Sequence, residues 1–90
     1  LEFQLYTNKN CVKCPAVKQA IKELEKSLKI SVTQIDTDTI EGMSEAAFYS
    51  ILATPTLIVI ENNEEIDRLI GDYTNEKITE FLLSHTEVKK

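Results

Sequence analysis

The sequence predicts an α/β fold, a mixed four-stranded sheet with three helices covering both faces. Hydrophobic periodicity changes between two and 3.6 residues along the chain, in the order strand, helix, strand, helix, strand, strand, helix. The last two strands are separated by Asn62 and Asn63, a hairpin signal. Ninety residues without repeat, linker or low-complexity segment make one domain, 1–90, large enough for a single modest core.

Glu2 to Thr7 reads as the first strand, with Phe3 and Leu5 on one face and Gln4 and Tyr6 on the other. From Pro15 to Lys29, the residues Val17, Ala20, Ile21, Leu24 and Leu28 recur at helical spacing and give the segment an apolar face to lay on a sheet. Pro15 suits the first turn, where no intrahelical N–H bond is lost. Ile30 to Ile35 reads as the second strand, and Asp36, Thr37, Asp38 and Thr39 then offer turn and capping oxygens.

The second helix is expected over Met43 to Leu52, where Met43, Ala46, Ala47 and Ile51 form an apolar face and Gly42 weakens the start. Thr56 to Ile60 is almost all apolar or β-branched and reads as a buried strand, with Glu65 to Ile70 returning beside it. Asn75 to Ser84 completes the chain as a helix with Ile78, Phe81 and Leu82 facing inward. The first two strands should be parallel across a crossover and the last two antiparallel.

The only two cysteines, Cys11 and Cys14, stand two residues apart where the first strand gives way to the first helix. A sulfur ahead of a helix meets unpaired backbone N–H groups and the positive end of the helix dipole, which favour the thiolate and make it a nucleophile. A second thiol one turn inward can close a disulfide and expel a bound partner. Zinc is the competing use of such a pair, but Cys11, Cys14 and the lone His85 leave a four-ligand site unfilled within one chain, so no metal is expected. A purely structural disulfide closing so short a loop would remove little chain entropy.

A net charge of −5 and a pI near 4.8 argue against a nucleic-acid partner. No apolar run approaches a membrane span and the start lacks the basic and apolar regions of a signal peptide, so a cytoplasmic protein without a membrane partner is expected. The chain starts at Leu1 instead of methionine, which is compatible with loss of a residue or presequence.

Four stretches then resemble one family when read in order. YTNKNCVKC is similar to a first strand and active-site loop, QIDTD to the end of a second strand, YSILATPTLIVI to the segment carrying a cis-proline, and RLIGDY to the glycine after the last strand. On these residues, and over nearly its whole length, the chain resembles the thioredoxin superfamily, within it the small glutaredoxin-like redoxins that lack the extra N-terminal strand and helix of full thioredoxins. The resemblance implies the glutaredoxin-type minimal fold and a cis bond between Thr54 and Pro55. It also implies a substrate rim formed by Lys9, Asn10, Val12, Lys13, Thr54, Pro55, Gly71 and Asp72. The lysines also have an ordinary reading as solvated surface, since exposed charges are screened. Tyr6 divides between sheet packing and a groove contact.

Glutathione-dependent members usually carry Pro-Tyr between the cysteines, a lysine three residues before the first cysteine, and paired glycines after the last strand. Here those positions hold Val12-Lys13, Asn8 with Lys9 shifted by one, and Gly71 followed by Asp72. Thioredoxin proper places a buried acid where this chain has Leu5 and a tryptophan where it has Asn10. The pattern is most similar to redoxins that serve ribonucleotide reductase and take electrons from thioredoxin reductase.

The resulting expectation is a thiol-disulfide oxidoreductase, a monomeric electron donor to protein disulfides, with Cys11 attacking, Cys14 resolving, and no cofactor beyond the Cys11-Cys14 disulfide. Two other functions compete with it. A glutathione-dependent glutaredoxin would need only Cys11, and a non-catalytic binding module would present the Thr54-Pro55 edge with the thiols incidental or binding metal across a dimer.

Overall fold

Two apolar strands that each alternate between two covered faces organise the molecule. The elements run β1 (Glu2–Thr7), α1 (Cys14–Leu28), β2 (Val32–Asp36), α2 (Ile40–Phe48), β3 (Thr56–Glu61), β4 (Glu64–Ile70) and α3 (Asn75–His85). They are seen in a computed structural model that describes residues 1–71 and 74–86. The sheet order is β2-β1-β3-β4, with β1 parallel to β2 and antiparallel to β3, and β3 antiparallel to β4. This is the thioredoxin-like arrangement expected from the sequence. No helix among the described residues is long and apolar enough to cross a membrane.

Alternation in the two central strands builds two cores. Phe3 and Leu5 of β1 join Leu57 and Val59 of β3 under α1 and α3, which contribute Val17, Ala20, Ile21, Ile78, Phe81 and Leu82. On the opposite face Tyr6, Ile58 and Ile60 pack with Ala46 of α2. Burial on both faces explains why β3 reads as an unbroken apolar run. The Tyr6 hydroxyl donates to Gln4 Oε1 at 2.7 Å, and Gln4 Nε2 donates to Glu2 at 3.0 Å, so this buried polar group is satisfied within its own strand. Tyr6 is therefore a packing residue, fully enclosed.

Several boundaries differ from the sequence reading for local reasons. The second strand begins at Val32, not Ile30, because Lys29 turns left-handed (φ 58°) and Ile30 N–H donates back to the Glu25 carbonyl, so this segment completes the helix end. The Glu25 carboxylate then accepts from Val32 N–H at 2.7 Å. The second helix starts at Ile40 and stops at Phe48, four residues short of Leu52. Thr39 caps it, accepting from Gly42 N–H at 2.9 Å. Ser50, at φ 56°, leaves the helical path, so Ile51 reaches the second core from the following turn while Met43 stays half-exposed. Asn62 and Asn63, at φ 55° and 67°, make the tight turn between β3 and β4 that their sequence position implied.

Gly42 does the opposite of weakening this helix. A Cβ there would lie 1.8 Å from the Asp36 carbonyl oxygen, so only glycine lets the first turn of α2 settle onto the end of β2. A Gly42→Ala variant should lose about 1–3 kcal/mol, the usual scale of overpacking, as read from urea unfolding. An unchanged midpoint would mean that α2 moves off the strand freely.

Burial, with Glu45 as the next cause, pushes the Tyr6 phenol well above its ordinary range. The folded chain thus keeps a proton that the unfolded chain releases near pH 10, so stability holds below about pH 10 and falls as pH rises through it. Tyr6→Phe should flatten that alkaline decline in urea titrations at several pH values, and an equally steep decline would assign it to other groups.

Candidate active site

Strand pairing delivers four chain segments to one end of the sheet. Tyr6 pairs with Thr56, Thr7 with Asp36, and Thr56 with Ile70. The cysteine loop leaving β1, the Asp36–Thr39 turn leaving β2, the Thr54-Pro55 step entering β3 and Gly71 leaving β4 therefore share that end. Hydrogen bonds join them across long sequence separations. Lys9 N–H donates to Asp38 Oδ2 at 2.8 Å, Thr37 N–H to the Thr7 carbonyl at 2.8 Å, and Gly71 N–H to the Pro55 carbonyl at 3.0 Å. Gly71 takes φ 88°, a conformation glycine adopts without strain.

Cys11 and Cys14 form a disulfide with Cα atoms 5.4 Å apart. Cys14 opens α1 and is 2% exposed, whereas Cys11 precedes the helix and is half-buried. The loop between β1 and the helix is shaped by short-range bonds: Asn8 Oδ1 accepts from Asn10 N–H at 3.0 Å, and the Asn8 carbonyl accepts from Cys11 N–H. Val12, 91% exposed, projects from the loop between the cysteines.

The helix end beside the disulfide is electrically open. Lys13 holds the cap position without supplying a capping side-chain hydrogen bond, and no acid occupies the first turn. Pro15 has no N–H, so Cys14 and Ala16 supply the unspent donors nearest the sulfurs. Such donors and the helix dipole stabilise negative charge on a thiolate that forms there when the disulfide opens.

The Thr54-Pro55 peptide bond is cis, as the resemblance implied. Pro55 is enclosed, Thr54 is half-buried, and the Thr56 hydroxyl donates to the Ala53 carbonyl at 2.6 Å. Lys9, Asn10 and Lys13 are exposed around the cysteine loop. Asp72 lies outside the described residues. A groove of about 450 Å³ opens alongside, lined by Asn8, Thr37, Met43, Ala47, Leu52 and Thr54 among others. Leu52 on its rim is 95% exposed. Among the described residues no cluster of three or more His, Cys, Asp or Glu side chains could hold a metal ion.

Four residues hold this end together, Asn8, Asp36, Asp38 and Arg68; the sequence reading gives Asp36 and Asp38 as turn oxygens but passes over the Asn8 turn, the reach of Asp38 to Lys9 and the role of Arg68. The Asn8 bond to Asn10 and the Asp36 bond to Asp38 are Asx turns, a pattern legible two residues ahead in any Asn or Asp. The Asp38 bond to Lys9 spans 29 positions and has no local signal. Arg68 likewise reaches from β4 to the end of α2, where Nη2 donates to the Tyr49 carbonyl at 2.6 Å and Nη1 to the Ser50 carbonyl at 3.4 Å, while Glu65 pairs with the same guanidinium.

Arg68 thereby anchors the segment that runs on to Thr54. Arg68→Met should cost about 1–3 kcal/mol, since two carbonyls lose a charged donor and Glu65 loses its partner. It should also speed amide exchange at Ser50 to Ala53. Unaltered exchange there would discard Arg68 as the anchor.

Comparison with known proteins gives a consistent picture. The thioredoxin family model matches residues 4–84. Thioredoxin of Staphylococcus epidermidis is 31% identical over 77 residues, covering 83% of this chain and 72% of its own length. Thioredoxin of Staphylococcus aureus is 30% identical over the same shares of each chain. Among solved structures, Fasciola hepatica thioredoxin gives a TM-score of 0.82 at 26% identity, over 93% of this chain and 79% of that one. Thioredoxin 1 from Thermosipho africanus gives 0.79 at 22% identity over 94% and 93%, a likeness of fold alone.

Proposed function

We propose that this chain, which belongs to the thioredoxin family, is a dithiol electron donor that reduces protein disulfides and is itself recycled by a thioredoxin reductase. Family and disulfide together make it a thiol-disulfide oxidoreductase. The observation that carries the finer reading is the asymmetry of the pair: Cys11 is partly exposed ahead of a helix without a side-chain cap, and Cys14 is enclosed at its first turn.

In the cycle, the Cys11 thiolate attacks one sulfur of a target disulfide, and the other target sulfur leaves as a thiolate and takes a proton. Cys14 then loses its proton and attacks the Cys11 sulfur, releasing the second target thiol. Two electrons pass to the target, and the Cys11-Cys14 disulfide is restored. The reductase returns two electrons to reopen it. In this reading the target docks on a rim of Lys9, Asn10, Val12, Lys13, Thr54, Pro55 and Gly71, and Asp72, outside the described residues, is assigned to substrate binding by the resemblance alone. The missing Pro-Tyr, the shifted lysine and the single Gly71 support thioredoxin reductase over glutathione as the electron source.

Alkylation of the reduced chain at neutral pH should label Cys11 well before Cys14, and Cys14→Ser should accumulate mixed disulfides detectable by mass. Faster labelling of Cys14 would reverse the two roles. Turnover of a protein disulfide should be faster with NADPH and thioredoxin reductase than with glutathione and glutathione reductase. The reverse ranking would make the chain a glutathione-dependent enzyme, and no turnover with either would leave a binding module.

A further inference from the structure

The charges of this chain are sorted by position to a degree that the redox chemistry does not require. Net charge is −5, yet from Phe3 to Lys22 the sequence contains Lys9, Lys13, Lys18 and Lys22 and not one acidic residue. Six of the ten cations fall between Lys9 and Lys29, and twelve of the fifteen acids follow Ser31. In the fold α1 presents lysines along its solvent side, with Glu23 the exposed acid of that helix. Lys18, Lys22 and Lys26 are exposed at four-residue intervals along α1, one above another on its solvent side, and Lys9 and Lys13 continue the positive charge into the cysteine loop. Among the described residues, Lys9, Lys18, Lys22 and Lys26 form no ion pair, so their charge is unspent.

We propose that this lysine row, running from α1 onto the Cys11 loop, docks an acidic protein segment flanking the disulfide to be reduced. The proposal rests on the dithiol-donor reading and names the substrate class for it. A partner of ordinary interface size centred on Val12 extends well over 10 Å in each direction, and Lys18 and Lys22 lie about 6 and 12 Å along the helix from Cys14. Exposed Val12 supplies the apolar contact, and the lysines form its charged rim. The acids that follow Ser31 repel the same partner, Asp36 and Asp38 at the disulfide end included, so an approaching acidic segment is turned toward the α1 side of the Cys11 loop. That acidic remainder also works against long polyanions such as nucleic acid, which would wrap past the row onto like charge.

The test uses the full chain and two synthetic peptides, each closed by one disulfide, one flanked by four glutamates and the other by four lysines, with neutral dithiodipyridine as the control substrate. At low ionic strength, the reduced chain should exchange with the acidic peptide roughly tenfold faster than with the basic one, within the range of electrostatic steering, and the difference should vanish near 1 M salt. Lys18→Glu combined with Lys22→Glu and Lys26→Glu should abolish the preference while leaving dithiodipyridine reduction unchanged. Equal rates with both peptides, or a preference surviving the triple substitution, would overturn the docking surface and leave the dithiol donor standing. Failure to reduce dithiodipyridine in the unmodified chain would remove both. An oligonucleotide of matching charge that inhibits better than a disulfide-free acidic peptide would reassign the row to nucleic acid.

Discussion

The position of β1 between a parallel and an antiparallel neighbour is the constraint from which the rest follows. Because β1 pairs with β2 on one side and β3 on the other, its C-terminal end at Thr7 meets both the end of β2 and the beginning of β3. A reactive loop attached to β1 is thereby held beside two other segments whose sequences are remote from it. The register is itself fixed by burial. A slip of one residue would exchange Phe3 and Leu5 with Gln4 and Tyr6 between the two cores, which differ in size and in polar partners.

Stability and reactivity meet at the first turn of α1. The apolar side of that helix, with Val17, Ala20 and Ile21, is buried against the sheet and locks the helix axis in place. Its N-terminal donors are left without a side-chain cap, which a helix serving structure alone would ordinarily satisfy with Ser, Thr, Asp or Asn. The other two helices obey that rule, since Thr39 caps α2 and Thr74 caps α3. The exception falls at the one helix end that carries a disulfide. Donors left open there can stabilise sulfur-centred charge in place of an oxygen cap.

Much of the fold was legible in the sequence because its signals were local. β1 was read to its exact ends, β3 and β4 to within a residue at one end, and the left-handed Asn62-Asn63 turn announced itself by residue type. The cysteine pair needed only its spacing and its place before a helix. What escaped depended on distant partners. The start of α2 was misplaced because the benefit of Gly42 lies in the carbonyl of Asp36, six positions earlier and on another element. Arg68 looked like one more strand residue, because its acceptors belong to the end of α2. The Asp38 clamp on Lys9 was invisible for the same reason.

That division has a physical counterpart in how the site end is held. The strands fix where Cys11, Thr54 and Gly71 leave the sheet, but strand pairing ends at Thr7 and Thr56, and the loops beyond have no ladder of their own. Their positions depend on single long-range bonds: Lys9 N–H to Asp38, Gly71 N–H to the Pro55 carbonyl, and Arg68 to the carbonyls of Tyr49 and Ser50. Each is a modest interaction of about 1 kcal/mol, more where a charge takes part, so none outweighs the core. Their effect is instead to narrow the positions open to loops that must present one reactive sulfur and an exposed Val12 to a target. A sheet that fixes the exits and a few polar clamps that fix the tips together permit an exposed reactive loop on a chain of this size.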